Sequence, residues 1–177
     1  MISIIAAVDD KWGFGKGGKI PWDSKEDREN FKELSHESFC IMGRLTYEDM
    51  CGYFKKDILM PRRYPIVVGK NVTVKHSNVR AVETIEEAME ITKNRLISKE
   101  TCFIGGRRIF EAAFRYGAEI ATITRMPGDY GCDVFFPHEL FNTFKFNRMF
   151  GEKTESGLCY ETYVRDKSMD FTPLPKD

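Results

Sequence analysis

Apolar runs of strand length alternate with helix-period stretches over most of this chain, and that alternation narrows the possible architectures more than any single motif does. Strands are expected at residues 2–8, 39–42, 65–68, 79–82, 101–104 and 119–124. Helices are expected between them, at about residues 24–34, 45–50, 84–94 and 109–116. Thr84 with Glu87 forms a capping box that opens the third helix, and Gly117 stops the fourth. Parallel strands need long crossovers, which helices supply while covering the sheet. The pattern therefore predicts an α/β fold with a mainly parallel central sheet and helices on both faces. Residues 145–150 and 158–164 read as an antiparallel hairpin around residues 151–157. The 177 residues fit a single domain, expected over residues 1–165. A loosely ordered tail is expected at 166–177, where Pro173 and Pro175 stand without any period.

Charge and cysteine usage argue against several functions. Lys plus Arg and Asp plus Glu each number 27, so no basic surplus points to nucleic acid or to an anionic membrane surface. The apolar start is cut off by Asp9 and Asp10, too soon for a signal core or a membrane span, and a cytoplasmic protein is expected. Cys40, Cys51, Cys102, Cys132 and Cys159 contain no C-x-x-C pair and are odd in number. Neither a disulfide framework nor a metal site is expected from them. His36, His76 and His138 lie in polar, loop-like surroundings that suggest neither metal nor catalysis.

Asp27 is the leading candidate for chemistry. Phe31 and Leu34 follow it at i+4 and i+7, so the acid heads an apolar stripe on one helix face. A carboxylate there must be paired, hydrogen-bonded or held at a shifted pKa. Pro21 and Trp22, just upstream, supply a rigid kink and a large ring able to wall off a pocket. Ser24 offers a second reading, in which Asp27 merely completes a capping box at the helix start.

A literal G-x-G-x-x-G at Gly13, Gly15 and Gly18 does not qualify as a dinucleotide fingerprint, because Pro21-Trp22 follows it and no helix opens there. It reads as a mobile loop, either a lid or flexible surface. Two other places do have strand, glycine and helix in order. Ile41-Met42-Gly43-Arg44 leads into the helix at Thr46, and Ile104-Gly105-Gly106-Arg107-Arg108 leads into the helix at Ile109. Orphan N–H groups and the positive dipole end favour phosphate at each, glycine permits close approach, and arginine adds fork-shaped donors. Two such turns in one small domain fit a dinucleotide gripped between two helix ends.

Taken in order, these pieces resemble the dihydrofolate reductase family in its bacterial form. Met1-Ile2-Ser3-Ile4-Ile5-Ala6-Ala7, then Gly15, Pro21-Trp22, Asp27 and Phe31-Lys32, run in family order. Ile41-Met42-Gly43-Arg44 with Thr46, Ile104-Gly105-Gly106, Thr124, Asp133 with Phe136-Pro137, and Tyr160-Glu161 carry the resemblance to about residue 165. It implies reduction of 7,8-dihydrofolate to tetrahydrofolate, with hydride passing from NADPH to C6 and a proton added at N5. It also implies a monomer with no metal and no nucleic-acid partner. In this resemblance Asp27 reads the pterin and favours N5 protonation, Thr124 is its partner, and Trp22 holds an ordered water. Ile5, Ala6, Ala7, Phe31, Met50 and Ile104 become the apolar walls of the substrate site. Arg63 becomes the clamp on the folate glutamate carboxylate, with Arg62 the alternative. The implied cofactor contacts are Ala7, Gly15, Ile20, Gly43, Arg44, Leu45, Thr46, Ile104, Gly105, Gly106, Arg107, Arg108, Ile109 and Phe110, with residues 9–19 closing over the nicotinamide.

The chain also departs from that pattern. Arg28 stands where bacterial members carry an apolar residue beside the benzoyl ring, within reach of the glutamate tail. Leu45 replaces a basic or polar residue beside the adenosine phosphate, Arg107 a third glycine and Phe110 a tyrosine, and the chain runs longer between Gly52 and Pro61. Two rivals share the fold: a riboflavin-biosynthesis reductase that also uses NADPH, and a non-catalytic binding protein. Pro21-Trp22 with Asp27 argues against the first, and the two intact helix-end turns argue against the second.

Overall fold

The structure is a computed structural model and describes residues 1–169. Its strands are β1 (Ile2–Val8), β2 (Gly13–Gly15), β3 (Phe39–Gly43), β4 (Tyr64–Val68), β5 (Arg80–Val82), β6 (Thr101–Phe103), β7 (Ile120–Arg125), β8 (Val134–Phe135), β9 (Phe146–Lys153) and β10 (Cys159–Arg165). The helices are α1 (Lys25–Leu34), α2 (Arg44–Cys51), α3 (Ile85–Thr92), α4 (Arg107–Arg115) and the short α5 (Leu140–Thr143). Eight strands form one sheet in the order β5-β4-β3-β6-β1-β7-β10-β9. Every pairing from β5 to β7 is parallel, and the β9–β10 hairpin adds itself antiparallel to β7.

The central strands are apolar throughout because both sheet faces are covered. Side chains alternate along a strand, and β3 divides its own between two cores. Phe39 and Ile41 join a cluster with Ala88 of α3 and Ile109, Phe110, Ala113 and Phe114 of α4. Cys40 and Met42 join Tyr47 of α2 on the other face, where Phe31 of α1 packs in. The expected α/β layering is therefore present. Helix α3 begins at the expected capping box, with the Thr84 hydroxyl accepting the Glu87 N–H at 3.2 Å.

Several expectations are corrected. Gly13–Gly15 is not loop but strand β2, paired with β8. Gly13 is required by crowding, since a Cβ there would lie 2.3 Å from Cys132 Cβ. Gly17 and Gly18 form a tight turn with φ of 57° and 78°, closed by Lys16 N–H donating to Lys19 O at 2.8 Å. His76 is no surface histidine. It is 4% exposed, with Nδ1 2.8 Å from the Tyr47 hydroxyl and Nε2 2.7 Å from Phe54 O.

All five cysteines are free, and no group of metal-ligating side chains assembles among the described residues. No described helix is long and apolar enough to cross a membrane. At the start of the expected tail, Asp166 N–H donates to Lys145 O at 2.8 Å and Lys167–Met169 make a 3₁₀ turn. The rest of that segment lies outside the described residues.

Candidate active site

Helix α1 starts at Ser24, whose hydroxyl accepts the Asp27 N–H at 3.2 Å. The Asp27 carboxyl does not turn back to complete a box. The Thr124 side chain on β7 lies near enough to favour its charged form. Cap and pocket readings are therefore compatible: the backbone of Asp27 serves the helix start and leaves its side chain for other partners. Burial pushes its pKa above the ordinary value, opposed by the Thr124 hydrogen bond and the charge of Arg28, with Glu26 adding to the rise. Thr124 is itself buried and stands in register between Ala7 of β1 and Tyr160 of β10.

The apolar stripe behind Asp27 is thinner than its spacing suggested. No residue of α1 is fully buried and Leu34 is exposed. Phe31 alone docks, alongside Met50 and Ile104. These three half-buried side chains pack against the same buried cluster, while Ile5 and Ala6 are buried in β1. Trp22 meets Tyr130 edge-on, with ring centroids 5.2 Å apart. Arg28 does not extend freely, because Asp23 engages its guanidinium in an exposed ion pair.

Arg62 and Arg63 are separated clearly. Arg62 points outward and pairs with Glu37 at 2.8 Å. Arg63 is 7% exposed, with Nη1 3.4 Å from Ser35 Oγ, Nε 3.3 Å from Pro61 O and its guanidinium carbon 5.9 Å from the Phe31 ring centre. Burial lowers its pKa, and no carboxylate pairs with it among the described residues. A buried cation of this kind is a place for an anion.

The second part of the site is a cleft of about 1490 Å³. Strands β3 and β6 lie side by side and end together, so α2 and α4 begin as neighbours, joined by Gly43 N–H donating to Gly105 O at 2.8 Å. Gly43 and Gly106 cap these helices without any side-chain hydrogen bond, which leaves first-turn N–H groups for a ligand. Gly105 has φ of 124°, where a side chain is strained, and a Cβ there would touch both Thr46 Oγ1 and the Phe110 ring at 3.4 Å. Gly15, Ile20, Gly43, Arg44, Leu45, Thr46, Ile104, Gly105, Gly106, Arg107, Arg108 and Ile109 all line the cleft.

Three of the expected cofactor residues are placed differently from the rest. Ala7 and Phe110 are not among the lining residues. Phe110 is 2% exposed and supports the turn from beneath, edge-on to Phe14. Arg107 lines the cleft but is committed elsewhere: its guanidinium donates to Glu111 at 2.9 Å, Phe135 O at 3.1 Å and Glu139 at 2.7 Å. Arg44 is paired with Glu48 at 2.8 Å. Arg108 and Lys70 are exposed, line the cleft and make no polar contact with the described residues. Lys70 was not anticipated, because a single lysine after a strand carries no local signal.

The sequence profile described as dihydrofolate reductase matches residues 1–165. The chain belongs to the dihydrofolate reductase family. It is 31% identical over 161 residues to the bifunctional dihydrofolate reductase-thymidylate synthase of Paramecium tetraurelia, covering 90% of this chain and 33% of that protein. It is 30% identical over 147 residues to the dihydrofolate reductase of Schistosoma mansoni, covering 77% of each. With the type 5 dihydrofolate reductase of Escherichia coli the identity is 30% over 172 residues, covering 93% of this chain and 98% of the other. The chain thus spans a third of its bifunctional relative and nearly all of a single-function one. Membership makes it an oxidoreductase with a nicotinamide cofactor.

Proposed function

We infer that the chain reduces 7,8-dihydrofolate to 5,6,7,8-tetrahydrofolate with NADPH, as a monomer in the cytoplasm. The observation that carries this is Asp27, a partly buried carboxyl in the first turn of α1, close to Thr124 of β7, whose proton affinity burial raises. An aminopyrimidine edge presents adjacent N–H donors that a carboxylate reads with two hydrogen bonds. Burial raises the proton affinity of that carboxyl, which favours protonation of the neighbouring ring nitrogen. In this reading Trp22, which meets Tyr130 edge-on, walls the approach to that acid. Phe31, Met50 and Ile104 offer the aromatic middle of the substrate a dry wall. Arg63 takes the glutamate carboxylate, which supplies the anion its burial requires.

The uncapped starts of α2 and α4 fit a pyrophosphate, and the glycines there allow its close approach. When bound, the nicotinamide supplies the hydride. Lys70 and Arg108, both unpaired among the described residues and lining the cleft, favour the extra phosphate of NADPH over NADH. The decisive test follows loss of NADPH near-ultraviolet absorbance on adding dihydrofolate, with Asp27→Asn alongside. Turnover by the natural chain and near-silence in the variant is expected. Bound NADPH without turnover would overturn the reading.

A further inference from the structure

Asp9 lies at the end of β1, is 0% exposed and has no part in the chemistry above. One carboxylate oxygen accepts the N–H groups of Lys11 at 2.9 Å and Gly13 at 2.8 Å. The other accepts the Tyr130 N–H at 3.0 Å and the Cys132 thiol at 3.6 Å. The first pair of donors leads into β2 and the second into β8, so a single side chain bridges the two strands of the small sheet. Backbone bonds reinforce the junction, with Asp9 N–H donating to Gly13 O at 2.8 Å and Asp10 N–H to Gly128 O at 3.0 Å.

This placement has a cost that an apolar residue would avoid, because a buried carboxylate loses its hydration. Burial pushes the Asp9 pKa up, but the hydrogen bonds from Tyr130, Gly13, Lys11 and Cys132 outweigh it and hold it below the ordinary value. The carboxylate is therefore ionised, and its bonds are of the charge-assisted kind. What it fastens matters. Strand β2 brings Gly15 to the cofactor cleft, and Tyr130 brings its ring to Trp22.

We propose that Asp9 is a positioning residue for the reduction: its carboxylate locks β2 and residues 129–133 into one unit and so seats Tyr130 against Trp22. The proposal rests on the reductase reading for its kinetic consequence, but the link from Asp9 to Trp22 is a property of the chain alone. Asp9→Asn keeps the shape and puts an NH₂ group opposite N–H donors. Tyr130→Leu leaves the four hydrogen bonds in place and removes only the ring.

The experiment measures single-turnover hydride transfer and, on the free protein labelled with 5-fluorotryptophan, the fluorine resonance of Trp22, identified by its loss in Trp22→Phe. Each variant should slow hydride transfer about tenfold, the scale of one buried hydrogen bond, with the KM for dihydrofolate changed less than about twofold. The double variant should be no slower than the slower single one, and both variants should shift the Trp22 resonance. Slowing factors that multiply in the double variant, or an unmoved Trp22 resonance in folded Asp9→Asn, would overturn the proposal. If Asp9→Asn does not fold, an unchanged rate in Tyr130→Leu overturns it equally. A natural chain that binds NADPH without turnover would refute the reductase reading, while the fluorine shifts would still decide the link.

Discussion

Arg63 makes opposite predictions for stability and for binding. In the free protein Arg63 is almost wholly withdrawn from water and faces no carboxylate among the described residues. Taking an ion out of water costs several kcal/mol even after relaxation. The return here is small: weak hydrogen bonds to Ser35 Oγ at 3.4 Å and Pro61 O at 3.3 Å, and a ring contact at 5.9 Å. Such contacts contribute about 1 kcal/mol each at best. Replacing a buried ion by an apolar side chain of similar volume is neutral or stabilising by about 1–4 kcal/mol. Arg63→Met should therefore melt at or above the natural protein in the absence of ligand. Its dihydrofolate affinity should collapse, because truncating one side of a buried charge pair costs about 2–5 kcal/mol, roughly 30-fold to several thousand-fold in Kd. A pterin substrate without the glutamate should bind both proteins alike. Calorimetric titration with both ligands and thermal melting of the free protein check each arm, and Arg62→Met, which touches only an exposed pair, should change neither ligand's affinity. A destabilised Arg63→Met that still binds dihydrofolate with natural affinity would refute the argument and make Arg63 a structural residue.

Asp27→Asn should likewise separate stability from activity. Its folded-state pKa is raised by burial above the ordinary 3.8, so the carboxylate weakens the fold as pH rises through the folded value. The variant should melt higher than the natural protein at neutral pH, with the difference vanishing below about pH 3.8. Turnover should fall by at least about tenfold while cofactor affinity holds; full turnover at neutral pH would remove Asp27 from the mechanism. Gly13→Ala should destabilise by about 1–3 kcal/mol through its clash with Cys132. Because the nearest atom is Cys132 Cβ at 2.3 Å, Cys132→Gly should rescue it and Cys132→Ala should not. Equal rescue by both in denaturant melts would mean that the thiol alone is crowded. Arg107→Gln should cost about 0.5–2 kcal/mol of stability and leave cofactor affinity alone, and Arg108→Gln should do the reverse. A larger loss of NADPH binding in Arg107→Gln would invert that assignment.

The parts of this fold that can be read from the chain are those whose local pattern has one physical solution. Uninterrupted apolar runs such as 39–42 need cover on both faces, which makes β3 central. Gly43-Arg44 and Gly105-Gly106 between strand and helix leave uncapped N–H groups wherever they fold. What stays hidden depends on distant partners. β2 and β8 are three and two residues long, too short for a period, so Gly13, placed by crowding against Cys132, passes for flexibility. Arg107 advertises a phosphate contact by its position, yet Glu139, 32 residues away, claims part of its guanidinium. His76 looks like loop until Tyr47, 29 residues away, meets it.

Asp9, Asp27 and Arg63 form an instructive set, because each is a charged side chain carried into the interior and each creates a demand that something must meet. For Asp9 the fold meets it fully, with two backbone N–H groups on one oxygen and a third with a thiol on the other. The fold meets it partly for Asp27, with Thr124 and the charge of Arg28 opposing a burial that still wins. For Arg63 it offers a hydroxyl and a carbonyl at the edge of hydrogen-bonding distance and no counter-charge among the described residues. A fold can keep an unmet demand only if something outside the chain meets it during function. Ranked this way, the three residues divide by the role proposed for each: the satisfied acid fastens, the half-satisfied acid binds a proton more readily, and the unsatisfied base receives the carboxylate of the substrate.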